Sequence, residues 1–191
     1  MKKRILLLVL FAALAVFAML LSTAKGSVDI PLGEVIGILG GAQGGANAQI
    51  LWNIRLPRTI VAALVGINLS LSGAILQAIL RNPLADPHII GISSGAGLAG
   101  IFIMLMLPWA AWLITPAAFG GAMLAALLIY ILAWRDGLRP TRIILAGVAV
   151  SAFLGAGISA MMILYSDRVH SALMWMVGGL SARSWPHVEM L

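Results

Sequence analysis

A chain of 191 residues that is 62% hydrophobic and 9% charged, with a mean hydropathy of +1.07, excludes a soluble globular domain, which carries about a quarter charged residues. A bilayer is the solvent such a composition requires. The net charge of +6 would suit nucleic acid, but the basic residues sit in short clusters between apolar runs, as loops beside membrane spans do, and no groove-reading module is present.

No cysteine occurs, so disulfides and thiolate metal sites are excluded. Lys2, Lys3 and Arg4 precede an apolar run over residues 5–24. Its small-residue end, Ser22-Thr23-Ala24, is also compatible with a signal peptide. Its length and the spans that follow favour a first transmembrane helix whose basic start lies in the cytoplasm. Residues 25–58 form the longest polar segment and read as an external loop. Its Gly44-Gly45 pair is no phosphate cradle, because no Lys-Ser/Thr follows it. Residues 35–39 suit a short interfacial turn.

Span two is expected over 59–80, with Pro57 just before it, where a missing N–H costs little. Gly66, Ser70 and Ala74 recur every four residues as a stripe for close helix approach. Asn68, Ser72 and Gln77 should face protein or a water-filled path. Residues 81–88 then break the helix with Pro83 and Pro87. Asn82 and Asp86 can bond the freed backbone groups, and Asp86 is placed to cap the next helix.

Span three is expected over 89–107, stopped by Pro108, with Gly91 and Gly95 as a GxxxG pair. Span four covers 113–134 and span five 143–165. In span five Gly147, Ser151, Gly155 and Ser159 recur every four residues. The apolar segment 171–177 is too short to span and suits a surface or re-entrant helix. Residues 185–191 read as the entry to a sixth span. The domain pattern is thus one membrane domain: 1–24, 25–58, 59–165 and 166–191.

Five spans with a cytoplasmic start place Lys2, Lys3, Arg4, Arg81, Arg135, Arg139 and Arg142 inside, and Lys25, Arg55, Arg58, Arg168 and Arg183 outside. The bias has the expected sign. All six tryptophans fall near span ends or in the surface segment.

Gly91-Ile92-Ser93-Ser94-Gly95 matches G-x-S-x-G. In a hydrolase that pattern needs a preceding strand and a base within reach of the serine. The match falls instead in an apolar helix, and His88 is poorly spaced from either serine, so packing of small residues accounts for it. Asp86 and His88 are too few for a closed metal site. No Walker A sequence occurs. No catalytic residue and no metal set is assigned.

Four stretches carry a family resemblance: Ile54-Arg55-Leu56-Pro57-Arg58, Leu71-Ser72-Gly73-Ala74, the turn from Arg81 through Asn82, Pro83 and Asp86 to Pro87, and Gly91 to Ala96. Residues 144–149 and 174–180 agree. Together they resemble the FecCD-type permeases, the membrane subunits of ABC importers for ferric siderophores, haem and cobalamin. The resemblance covers nearly the whole chain.

It implies an all-α integral membrane protein in the bacterial inner membrane, with about five spans and a short interfacial helix. It also implies pairing with a second permease subunit, two cytoplasmic ATPase subunits that bind ATP and Mg, and a periplasmic or lipid-anchored binding protein. Arg55 matches the external arginine that meets an acidic residue of the binding protein. Pro140 and Thr141 match the inner turn that narrows the cytoplasmic end of the pathway, and Ser151 and Ser159 are candidate lining residues. Family members have ten spans, the second half resembling an inverted copy of spans two to five. The chain therefore reads as an N-terminal half. A non-transporting scaffold or truncated product, and less favourably an intramembrane serine hydrolase, are the competing readings.

Overall fold

The computed structural model describes residues 2–42, 45–87, 90–135, 137 and 139–190. Its described residues are almost entirely helical and contain no strand. Gln43 and Gly44, His88 and Ile89, Asp136, Leu138 and Leu191 lie outside the description, so the Gly44-Gly45 and Asp86–His88 readings are not addressed by it.

Two compact units divide the chain. The first, residues 1–68 and 180–191, begins with α1 (Lys2–Ala24), an apolar helix of membrane-crossing length. Residues 25–58, read from sequence as a loop, hold α2 (Leu32–Leu39) and α3 (Ala46–Ile50). They also hold a π-helical turn (Leu51–Arg55) that runs straight into α4 (Leu56–Leu80). Helix therefore continues from Ala46 to Leu80, 35 residues, and span two begins earlier than expected. Pro57 does not precede this helix but lies within it. Its ring would clash with the carbonyl four residues back in a regular α-helix. The π turn just upstream relieves the conflict: the Leu56 N–H donates to the Leu51 carbonyl, five residues back. A small core of Ala24, Ile30, Val35, Ile38 and Leu51 fastens α1 to α2 and the π turn.

The second unit, residues 69–179, starts within α4. That helix ends on Arg81, which takes a left-handed backbone (φ 48°). The Asn82 N–H reaches back to the Gln77 carbonyl at 3.2 Å, the long bond of a Schellman stop. The Asn82 side chain then accepts from the Leu84 N–H at 2.9 Å, so Asn82 organises the turn as expected. Asp86 does not occupy the N-cap position of the next helix. α5 (Ile92–Met106) starts five residues beyond it, on Gly91 in the left-handed region (φ 87°) with no side-chain cap. Gly91 is therefore the helix start, and it is closely packed there as well.

α5 has 15 residues and ends before Pro108, as expected. A 3₁₀ segment (Pro108–Leu113) exposes Trp109 and Trp112 and leads into α6 (Ile114–Ala133). α7 (Pro140–Leu164) follows, with Pro140 in its first turn. α8 (Val169–Val177) is nine residues long and packs on α5 through buried Ala172. Among the described residues four stretches are long and apolar enough to cross a membrane: α1, residues 46–80, residues 108–133 and α7. α5 is a shorter apolar helix beside them. α9 (Trp185–Glu189) belongs to the first unit.

Candidate functional site

Arg55 is the buried cation of the first unit, 7% exposed. Position 55 closes the π turn, which directs its side chain at the end of α1. Its Nη1 donates to the carbonyls of Thr23 at 2.9 Å and Ala24 at 2.8 Å, and its Nη2 to that of Val28. Those α1 carbonyls have no partner inside their own helix, and the helix end carries partial negative charge. The arginine thus supplies donors and the matching charge together. Gly26 gives it room: a Cβ there would lie 2.9 Å from Nη2.

Beside this arginine lies an open cavity of about 520 Å³. Ser22, Lys25, Ser27, Arg55, Arg58 and Thr59 form its polar side. Ser22 and Thr59 hydroxyls meet at 3.1 Å, tying α1 to the start of α4. Lys25 Nζ pairs with Asp29 at 2.9 Å. The hydrogen bond and charge of that ammonium hold the Asp29 carboxyl below the usual carboxylate range. Arg58, exposed and three residues from Arg55, shares its helix face. Sequence reasoning read Arg58 and Lys25 only as loop charges. The i, i+3 spacing of Arg55 and Arg58 was the signal available, but it has meaning only if helix continues through Pro57.

In the second unit, Ala85 and Ile90 of the proline turn pack with Leu80, Ile129 and Val150. At Gly91 a side chain would overlap Ser151, and at Gly147 a Cβ would lie 2.5 Å from the Ile90 carbonyl oxygen. The four-residue stripe of α7 is therefore used for packing at its Gly147–Ser151 end. At the other end Gly155 has no atom within 4 Å of where its Cβ would lie, and Ser159 is exposed. Both serines bond back to their own helix, Ser151 to Gly147 at 2.8 Å and Ser159 to Gly155 at 3.1 Å. Pro140 and Thr141 are exposed at the start of α7. On α4, Gly66, Ser70 and Ala74 are exposed as well.

The G-x-S-x-G stretch opens α5 from a proline turn, not from a strand. Ser93 is exposed and Ser94 half-buried. His187 accepts at Nδ1 from the Ser184 N–H at 3.2 Å as part of the cap of α9. Arg168 Nη1 donates to the Leu105 carbonyl at 3.1 Å, at the end of α5, and Arg142 Nη1 donates to the Arg135 carbonyl just past α6. Arg55 and Arg168 thus serve helix ends, and Arg142 ties the start of α7 to the segment just past α6. In the second unit the hydroxyls of Ser72, Ser151 and Ser159 bond carbonyls of their own helices.

Comparison with known proteins agrees with this arrangement. The model of the FecCD transport family matches residues 14–191. The Fe(3+)-citrate import system permease protein YfmE of Bacillus subtilis is 35% identical over 191 residues, covering 100% of this chain and 57% of the relative. The achromobactin transport system permease protein CbrC of Dickeya dadantii is 41% identical over 187 residues, covering 96% of this chain and 53% of the relative. A solved inward-facing structure described as a metal-chelate type ABC transporter superposes with a TM-score of 0.78 at 24% identity, covering 93% of this chain and 55% of that one, and so shares the fold. The chain spans about half the length of these relatives. With the family model matching residues 14–191, the chain belongs to the FecCD transport family of ABC transporter permeases.

Proposed function

We propose that this chain is a membrane permease subunit, supplying the N-terminal half of an ABC importer that moves ferric siderophore, haem or cobalamin-type chelates into the cytoplasm. The observation that carries the reading is the family match over residues 14–191, supported by helices of membrane-crossing length. It works by alternating access in the bacterial inner membrane, with its N-terminus in the cytoplasm. Two separate ATPase subunits bind ATP and Mg and drive the cycle, and a periplasmic or lipid-anchored binding protein delivers the chelate. The chain forms pathway walls, and substrate moves because the two end states bind it differently.

Within that reading Arg55 is the docking residue for an acidic side chain of the binding protein. Its place in the lining of an open cavity supports this role. Pro140 and Thr141 form the cytoplasmic gate, where both are exposed, and Ser151 and Ser159 line the pathway. The turn at Asn82, Pro83, Asp86 and Pro87 is structural.

The test is reconstitution. This chain is co-expressed with the C-terminal half of a relative, its ATPase pair and its binding protein, in cells lacking their own permease. Uptake of radiolabelled ferric chelate is expected with both halves and not with either alone. Absence of uptake together with failure of the ATPase subunits to co-purify would remove the transport reading and favour a scaffold.

A further inference from the structure

We propose that α9 is a pH-released clasp on the π-helical turn that carries Arg55, with His187 as its sensor. The clasp closes a gap in that turn. The Leu56 N–H bonds the Leu51 carbonyl, five residues back, rather than the Trp52 carbonyl, its regular α-helical acceptor. The next donor of a π turn would come from residue 57, which is proline and has no N–H. Neither regular backbone donor therefore serves the Trp52 carbonyl. The Trp185 indole N–H, from a residue distant in sequence, donates to it at 3.0 Å instead. Both partners lie in the first unit.

Trp185 is the first residue of α9, so its position depends on how that helix is capped. Ser184-Trp185-Pro186-His187 has the spacing of a capping box, with histidine where glutamate or glutamine usually stands. The half-buried His187 accepts at Nδ1 from the Ser184 N–H at 3.2 Å and meets the Ser184 hydroxyl at 3.1 Å. A ring nitrogen accepts only while it carries no proton, so the neutral imidazole with its hydrogen on Nε2 makes this cap. A proton on Nδ1 sets N–H against N–H. It also adds positive charge beside the unpaired N–H groups of the helix start.

Histidine is the side chain that ordinarily changes charge between pH 5 and 8. The charged groups on the segments that meet here are Arg183 just before α9, Glu189 at its end, Arg55 on the π turn and Arg58 at the start of α4; α3 has none. Glu189 stands two residues from His187, a spacing that does not bring side chains together on a helix. Acid thus opens the cap, and Trp185 leaves the Trp52 carbonyl. Where Arg55 docks a binding protein, acid slackens the turn that aims it, a consequence that rests on the importer reading.

The test is hydrogen exchange by mass spectrometry on the purified 191-residue chain in detergent. Exchange is compared at about pH 7.5 and about pH 5.5, after correction for the intrinsic pH dependence of amide exchange. In wild type, acid should speed exchange about fivefold over residues 185–189, and exchange over residues 51–56 should rise with it. His187→Gln keeps an acceptor that does not titrate and should exchange slowly in both conditions. His187→Ala should exchange fast in both. Trp185→Phe should loosen residues 51–56 in both, while residues 185–189 keep their response to acid.

An α9 unmoved by acid would overturn the sensor, as would an acid response that survives in His187→Gln or His187→Ala. Acid loosening of residues 185–189 without residues 51–56, or a Trp185→Phe chain with an unchanged π turn, would overturn the clasp. None of these outcomes requires transport or a binding protein, so failure here is separable from failure of the importer reading.

Discussion

Arg55 carries a full positive charge into a site where it meets backbone carbonyls and no carboxylate. Such a charge is tolerable because the α1 end is itself partly negative and its last carbonyls lack donors within their own helix. Hydrogen bonds to a charged group contribute about 1.5–3 kcal/mol each, less the cost of burying the charge. Arg55→Met should therefore lower stability by about 2–4 kcal/mol, read as a depressed melting temperature in detergent and faster tryptic cleavage after Lys25. Arg55→Lys should recover only part, since an ammonium lacks the fork that spans three carbonyls. A residue that only docks a partner would leave both readouts unchanged. The neighbouring Lys25–Asp29 pair behaves differently. The folded-state pKa of Asp29 is lowered, so any stability it adds is present above the ordinary value of 3.8 and is lost as pH falls through the lowered one. Both side chains are exposed and screened, so Asp29→Asn should leave the melting temperature at pH 7 where it is.

Helix α5 meets α6 through glycine on glycine. A Cβ added at Gly121 would overlap the Gly95 carbonyl and lie 2.6 Å from the Ala99 Cβ, and one added at Gly95 would lie 2.5 Å from the Ala125 Cβ. The adjacent Gly120 has nothing within 4 Å. Gly121→Ala should thus cost about 1–3 kcal/mol through overpacking, whereas Gly120→Ala should be neutral or gain up to about 1 kcal/mol from backbone entropy. Unfolding in mixed detergent separates the two. At the end of α4, Arg81 holds a left-handed backbone that costs a non-glycine residue about 1–2 kcal/mol, so Arg81→Gly should stabilise that helix end.

The element boundaries show what one sequence can and cannot reveal. Pro108 and the Asn82 turn were legible because proline and asparagine act through their own covalent structure, whereas Pro140, expected in the turn before span five, is the first residue of α7. The continuation of helix through Pro57 was not, because a π turn is a compensation between neighbours with no residue type of its own. The working half of the α7 stripe was hidden for a related reason: spacing identifies a face, and only the neighbouring α5 decides which part of it is covered.

At the scale of the whole chain, the helical class, membrane-length apolar stretches and family were legible from composition, periodicity and motif order. The partners of the polar side chains were not, since Arg55, Arg142 and Arg168 each bond carbonyls distant in sequence or across a turn. What most needs testing at this scale is the parity of crossings, which rests on α5. Its 15 residues rise only about 22 Å, short of the roughly 30 Å hydrocarbon core. The packing indicates that it crosses nonetheless. Gly95 lies against Ala125, and Ala99 against Gly121. As one index rises the other falls, so α5 runs antiparallel to α6, a helix in a stretch of membrane-crossing length. The 3₁₀ segment with Trp109 and Trp112 extends α5 at the interface.

If α5 crosses and the N-terminus is cytoplasmic, Ser27 is outside and Arg139 inside. If α5 only dips and returns, α6 and α7 invert and both positions face outward. A Ser27→Cys chain should react with an impermeant thiol reagent in intact cells, and an Arg139→Cys chain only after permeabilisation. Reaction of both in intact cells would show that α5 does not cross. Reaction of Arg139→Cys alone would show that the whole chain is inverted. Since the wild-type chain has no cysteine, each label reports one position.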